Sequence, residues 1–283
     1  MIDSLGHYKI LDRIGSGAMG DLYRARDTRV GRTVALRVVA PSIAGDAARL
    51  DRFLADARAS AAASHPNIAA IYEVADEGGV PYLACEFVQG QKLKGLVSGR
   101  ALNPRRAIDL TIQIADALAD ADASGVAHGH FAADTVIVNA KGNAKLLDVG
   151  MAAWTSAGAG TQAGDHQADI AALGLVLHEM LTGKTPKPGT SPSDIDAHLP
   201  RELDAIVKKT QPGSLGERYE ASATLAAELR AVAAILDGRT NAAKEIARVP
   251  SKKGARRREA AVWLTAIAMT AILAWLVWTA SRM

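Results

Sequence analysis

Two stretches of this chain hold residues whose types and spacing could do chemistry. The first is Gly15-Ser16-Gly17-Ala18-Met19-Gly20. Glycines at positions 15, 17 and 20 let backbone N–H groups come close to a phosphate, where a Cβ would stand in the way. The same spacing also fits a plain hairpin turn, so alone it is a weak signal. The second stretch is His128-Gly129-His130-Phe131-Ala132-Ala133-Asp134-Thr135, followed by Asp148-Val149-Gly150. An imidazole such as His130 titrates near neutrality and can take a proton from a hydroxyl as a general base. A purely structural imidazole is the competing reading of the same residue.

The elements that must position these residues can be read from periodicity and turn signals. Residues 8–40 alternate strand-like runs with turns: YKILDRI, the glycine run, DLYRARD, a turn at Arg29–Arg32, and TVALRVVA. A dinucleotide-binding fold would place a helix after the third glycine, whereas DLYRARD reads as a strand. A helical stretch over about 47–63 stops near His65-Pro66, and the strand-like NIAAIYEVAD and VPYLACEFV follow. From about residue 104 the pattern turns helical, with Ile108, Ile112, Ala115 and Leu118 on one face. TVIVN and AKLLDVG read as a short hairpin, and three further helices follow it. A sheet-rich N-terminal third and a helical remainder predict an α+β chain of two lobes, 8–88 and 89–237.

Composition narrows the class. Of 283 residues 49% are hydrophobic, enough for a sizeable core. The single cysteine, Cys85, excludes an internal disulfide and fits a reducing compartment. The chain has 33 basic and 30 acidic side chains. Eight of the basic and two of the acidic ones lie from Lys244 onward, which leaves 25 against 28 in residues 1–243. The body is therefore mildly acidic, and no nucleic-acid partner is expected. The basic stretch 238–259 reads as a juxtamembrane linker. Residues 260–281 hold no charged side chain, and 22 residues of helix span about 33 Å against a hydrocarbon core of about 30 Å. Trp263, Trp275 and Trp278 lie near its ends, and the flanking Lys and Arg predict an N-terminal body on the cytoplasmic side of the inner membrane. A single-pass, tail-anchored protein is the expectation.

GVAHGHFAADTVIVNAKGNAKLLDVG resembles the catalytic segment of bacterial Ser/Thr protein kinases, which runs like HRDLKPANI followed by KLLDFG. With the glycine run and VALRVV in the right order, the resemblance covers about residues 8–237. It implies the two-lobed kinase fold and ATP as ligand, with or without Mg2+. The departures are as informative as the matches. His130 stands where the family has its catalytic-base Asp, Ala132 where it has a phosphate-steadying Lys, and Thr135 where it has a metal-binding Asn. Arg37 replaces the strand Lys, and Asp56 replaces the helix Glu that pairs with it. An Arg37–Asp56 pair holding the small lobe together is expected, because an Arg–carboxylate contact can be bidentate.

Other positions match. Gly15, Gly17 and Gly20 correspond to the phosphate-covering glycines. Leu22, Ala35 and Ile137 correspond to apolar residues that sandwich adenine, or serve as ordinary core. Glu86, Phe87 and Val88 correspond to the hinge whose backbone meets the base, and Cys85 to the residue guarding the rear pocket. Asp148 corresponds to the Asp that holds Mg2+, and Asp169 to the Asp bracing the catalytic loop from below. The segment from Asp148 to Asp169 is shorter than the family's, and 185–199 lacks its substrate-docking helix. With the base, the loop Lys, the metal Asn and the strand Lys all changed, the resemblance implies a pseudokinase. Its role would be that of a scaffold or regulator for a partner kinase or a membrane complex. A weak or unconventional Ser/Thr kinase is the alternative.

Overall fold

The computed structural model describes residues 3–155, 166–211, 218–248, 263–265, 267–270 and 272. Strands β1 (Ser4–Leu5), β2 (Tyr8–Gly17), β3 (Gly20–Asp27), β4 (Thr33–Val39), β5 (Ile71–Glu77) and β6 (Val80–Glu86) form one antiparallel sheet, in the order β1-β2-β3-β4-β6-β5. Residues directly opposed across a ladder point to the same side. The pairings Leu22↔Arg37, Ala35↔Cys85 and Arg37↔Leu83 therefore put Leu22, Ala35, Arg37, Leu83 and Cys85 on one face. Val34, Leu36, Tyr82 and Ala84 take the other face and close a small core with Leu5, Tyr8 and Ala25. A slip of one residue in β4 would exchange the two sets.

Two helices follow β4: α1 (Pro41–Ala44) and α2 (Ala47–Ser60). Asp46 caps α2 by accepting the Arg49 N–H at 3.1 Å. The helix stops at Ser60, three residues earlier than its periodicity predicts. There Ser60 turns its hydroxyl back onto the Asp56 carbonyl at 2.8 Å, a local bond that competes with helix propagation. Phe53 and Ala57 of α2 are buried beside Val39 and Leu83 of the sheet.

The second lobe begins with β7 (Gln91–Lys92) and α3 (Leu93–Val97), then α4 (Pro104–Ala123). Pro104 at the first helical position and the Asn103 side chain, which accepts from Arg105 and Arg106 N–H groups, fix the start of α4. Its buried stripe runs through Ala107, Leu110, Ile114, Leu118 and Ala121, with Ile108 and Ala115 beside it. Ile114, not the expected Ile112, is fully covered. Strands β8 (Val136–Val138) and β9 (Ala144–Leu146) form the predicted hairpin and join β7 in a three-stranded sheet. Helices α5 (His166–Thr182), α6 (Pro192–Ile195) and α7 (Arg201–Thr210) complete this lobe. Gly174 lets α5 approach α7 closely, since a Cβ there would stand 1.7 Å from the Thr210 hydroxyl oxygen. In 185–199 the only helix among the described residues is the single turn of α6.

Helix α8 (Ser222–Arg248) continues through the first half of the stretch expected to be a flexible linker. Residues 238–248 begin with Gly238, a residue that weakens a helix, but hold no proline before Pro250, and the helix runs on through the glycine. The remainder of 238–259 lies outside the described residues. By its internal contacts the chain divides into Met1–Ala233 and Ala234–Met283. Most of the expected membrane span, 260–281, lies outside the described residues; 263–265, 267–270 and 272 are helical and exposed. Among the described residues no helix is long and apolar enough to cross a membrane.

Candidate functional site

The glycine run is the turn between β2 and β3, closed by the Gly17↔Gly20 pair. Gly20 has φ +122°, and a Cβ on it would lie 1.9 Å from the Val38 carbonyl oxygen, so the hairpin itself demands glycine there. Gly15 and Gly17 face no such demand: an added Cβ would meet only Leu22 Cβ at 4.0 Å in one case and nothing within 4 Å in the other. At the tip, the Met19 carbonyl accepts the Ala40 N–H at 3.1 Å. The Met19 side chain is buried in a cluster with Val39, Phe53, Met151 and Trp154. The turn is thus tied down onto the end of β4 and the face of α2.

Arg37 projects from the same sheet face as Leu22 and Ala35 and reaches Asp148. Its Nη2 donates to both carboxylate oxygens, at 3.0 and 3.3 Å, and the two side chains are 13% and 31% exposed. Asp148 has φ +55°, the only positive φ outside glycine among the described residues. Such backbone conformations cluster at active sites, ligand clamps and switch regions. The expected Arg37–Asp56 pair is not formed. Asp56 instead accepts the Trp154 indole N–H at 2.8 Å. Trp154 sits in a single 3-10 turn, Ala152–Trp154, six residues beyond Asp148. Its ring meets Phe53 edge-on at 5.1 Å, with the Arg49 guanidinium 5.9 Å from its centre. The exchange has a simple cause. The Asp56 side chain is one methylene shorter than Glu, and the indole donor already covers its carboxylate, which leaves Asp148 as the counter-charge for Arg37.

The loop 128–135 is braced from below as predicted. The Asp169 carboxylate accepts the Gly129 N–H at 2.9 and 3.0 Å and the Phe131 N–H at 3.4 Å. Burial raises its pKa, and those N–H bonds oppose the rise. His128 is fully buried with no hydrogen-bond partner on either ring nitrogen among the described residues. Burial, helped by neighbouring His130, lowers its pKa to about 3, so it is a neutral ring packed against His130 and Phe131. His130 is half-buried, its Nδ1 3.3 Å from the His128 carbonyl oxygen. The Thr135 hydroxyl donates to the Ala132 carbonyl at 2.9 Å and accepts the Ala132 N–H at 3.3 Å. Asp134, one residue away, is exposed.

At the far end of the cleft face, Glu86 is held by Lys145 Nζ at 2.7 Å and accepts the Ala70 N–H at 3.3 Å. This fixes the end of β6 and the chain that leaves it. Leu22, Ala35, Cys85, Val88 and Ile137 all remain partly exposed. Burial pushes the Cys85 thiol up to about 12, so it is an apolar wall rather than a nucleophile. Lys145, Met19 and Trp154 carry no spacing signal that would have singled them out in the sequence.

Whether these residues suit a magnesium ion can be judged from the donors. Asp148 already faces a guanidinium, and the Thr135 hydroxyl is closed on its own turn. At a nucleotide, magnesium takes one or two protein carboxylates, with phosphate and water oxygens completing its octahedron. Among the described residues no group of three or more His, Cys, Asp or Glu is placed to hold a metal. With Asp148 held by Arg37 and the Thr135 hydroxyl by Ala132, neither position that the resemblance assigns to a metal offers a free ligand. Leu22, Ala35, Val88 and Ile137 are apolar and partly exposed.

A β-rich lobe and a helical lobe, with a glycine hairpin, a hinge and a braced loop, define the protein kinase architecture. Residues 8–164 match the protein kinase domain family, and the chain belongs to that family. It is 30% identical over 274 residues to a probable serine/threonine-protein kinase of Streptomyces coelicolor, covering 82% of this chain and 40% of that one. It is 27% identical over 260 residues to the serine/threonine-protein kinase PrkC of Bacillus subtilis, covering 80% and 40%. The chain thus spans about two fifths of the length of the curated relatives it matches. Among solved structures, the kinase domain of PknI from Mycobacterium tuberculosis shares the fold. Its TM-score is 0.67 at 21% identity, over 80% of this chain and 96% of that one.

Proposed function

We propose that this chain is a pseudokinase: a kinase fold retained for binding, acting as a scaffold or regulator of a protein partner in signalling. Residues 260–281 would hold it at the cytoplasmic face of the inner membrane. The observation that carries the reading is the Arg37–Asp148 ion pair, which uses the metal-facing carboxylate and the phosphate-facing cation against each other. Phosphoryl transfer is almost entirely positioning and charge neutralisation. Here the loop supplies His130, Ala132 and Thr135, the last two with neither charge nor a free hydroxyl to offer. Groups that act as a unit leave little activity when several are absent together.

The test is incubation of the full-length chain, purified in mild detergent, with γ-labelled ATP and Mg2+ or Mn2+. The expected result is no label on the chain or on a general acceptor protein. Incorporation that disappears in Asp148→Ala would sink the reading. It would favour the alternative of a weak, unconventional kinase. One observation speaks for that alternative: His130 keeps its Nε2 without a partner among the described residues, as a general base requires.

A further inference from the structure

The charges at the phosphate end of the cleft point to a ligand that the family resemblance does not supply. Arg37 is matched by Asp148, and the helix carboxylate Asp56 is occupied by the indole N–H of Trp154. Ala132 contributes no cation from the loop. Arg37 and Asp148 therefore cancel, and no cation is left over. The glycine turn can offer only the partial charges of backbone N–H groups, and its tip is drawn onto Ala40 and into the cluster around Phe53. A triphosphate entering this end would meet a carboxylate with no spare cation. A divalent ion would have to compete with a guanidinium already held through both carboxylate oxygens.

The base end is different. Leu22 and Ala35 share one sheet face with Cys85, and Val88 and Ile137 are partly exposed apolar side chains. The Val88 N–H and C=O have no backbone partner among the described residues. Apolar walls with a few unpaired backbone groups suit an uncharged heteroaromatic ring. Phe87 and Val88 follow Glu86, whose Lys145 pair fixes where those backbone groups stand.

We infer that the cleft takes an uncharged purine nucleoside, and that neither the phosphates of ATP nor a divalent cation contributes to binding. This rests on the non-catalytic reading above, but it can fail separately. The Arg37–Asp148 pair takes the place of the metal: it neutralises Asp148 internally and leaves the site complete without an ion. The arrangement also reverses the usual effect of losing that carboxylate. Removing the Asp148 charge frees the Arg37 guanidinium for a phosphate, so metal-free ATP should bind more tightly.

The experiment is calorimetry and thermal shift on the full-length chain with adenosine, ATP plus EDTA, and ATP plus Mg2+, repeated on Asp148→Asn. Adenosine is expected to bind at least as tightly as either form of ATP, with no gain on adding Mg2+. In Asp148→Asn, metal-free ATP is expected to tighten about tenfold, with adenosine unchanged. Tighter binding of Mg-ATP than of adenosine in the unsubstituted chain overturns the inference, and needs no variant to show it. So does failure of adenosine to bind, or weaker ATP binding in Asp148→Asn. A null result with all ligands would leave the pseudokinase proposal standing, whereas phosphotransfer would remove that proposal first.

Discussion

Arg37 meets Asp148 through a single nitrogen, Nη2, which lies 3.0 and 3.3 Å from the two carboxylate oxygens; unlike a lysine, its charge is spread over a planar head that does not fit compactly between two phosphates. A compact ammonium placed between phosphates would leave the aspartate free for a metal. At this scale the site is also sensitive to pH through His128. Its pKa falls from 6.5 to about 3 because burial disfavours the charged ring, with His130 adding to the effect. The unfolded chain takes up this proton below about 6.5, and the folded chain refuses it until about 3. The contribution to stability is therefore complete above 6.5 and is lost as pH falls through that window, by about 1.4 kcal/mol per unit. Asp169, raised by burial, acts with the opposite sign. Replacing His128 with Leu should flatten the decline in urea-unfolding midpoint between pH 6.5 and 5. An undiminished slope would show that another group carries it.

Among the elements, α2 and the segment after Asp148 decide the state of the site. Trp154 docks on α2 through one edge-on ring contact and one hydrogen bond to Asp56, and Met151 is buried in the same cluster beneath it. Ser60 closes the contact, its hydroxyl 3.7 Å from the Met151 sulfur. Trp154→Phe keeps the ring and deletes the donor, leaving the Asp56 carboxylate unpartnered in a half-buried place. The expected loss is about 2 kcal/mol of unfolding free energy, the scale of a hydrogen bond to a charged group. Equilibrium denaturation would measure it, and a loss below about 0.5 kcal/mol would mean that the bond is not maintained in solution. Much of this layer was legible beforehand. The strand order around the glycine turn, the capped start of α4 and the β8–β9 hairpin follow from turn residues and periodicity. The early end of α2 and the continuation of α8 to Arg248 do not, because one depends on a serine turning back on its own helix and the other on a helix running through Gly238, which reads as a stop.

For the whole molecule, the concentration of basic residues beyond Lys244 and the uncharged run 260–281 predict attachment to a membrane. Fractionation of cells expressing the full chain should place it with membranes and resist extraction by high salt or alkaline carbonate. Truncation after residue 259 should release it; recovery of the full chain in the soluble fraction would refute the anchor. The sequence by itself determined the family, the two lobes and the identity of the missing groups. Each of these is written in residue types at fixed intervals, and local periodicity and turn chemistry translate such intervals directly into elements. Only the tertiary structure decided how the remaining charges pair. Arg37, Asp56 and the segment holding Asp148 and Trp154 come from three separate places in the chain, and which carboxylate meets which donor depends on side-chain reach across packed elements. The shorter Asp56 side chain meets an indole, and Arg37 meets Asp148.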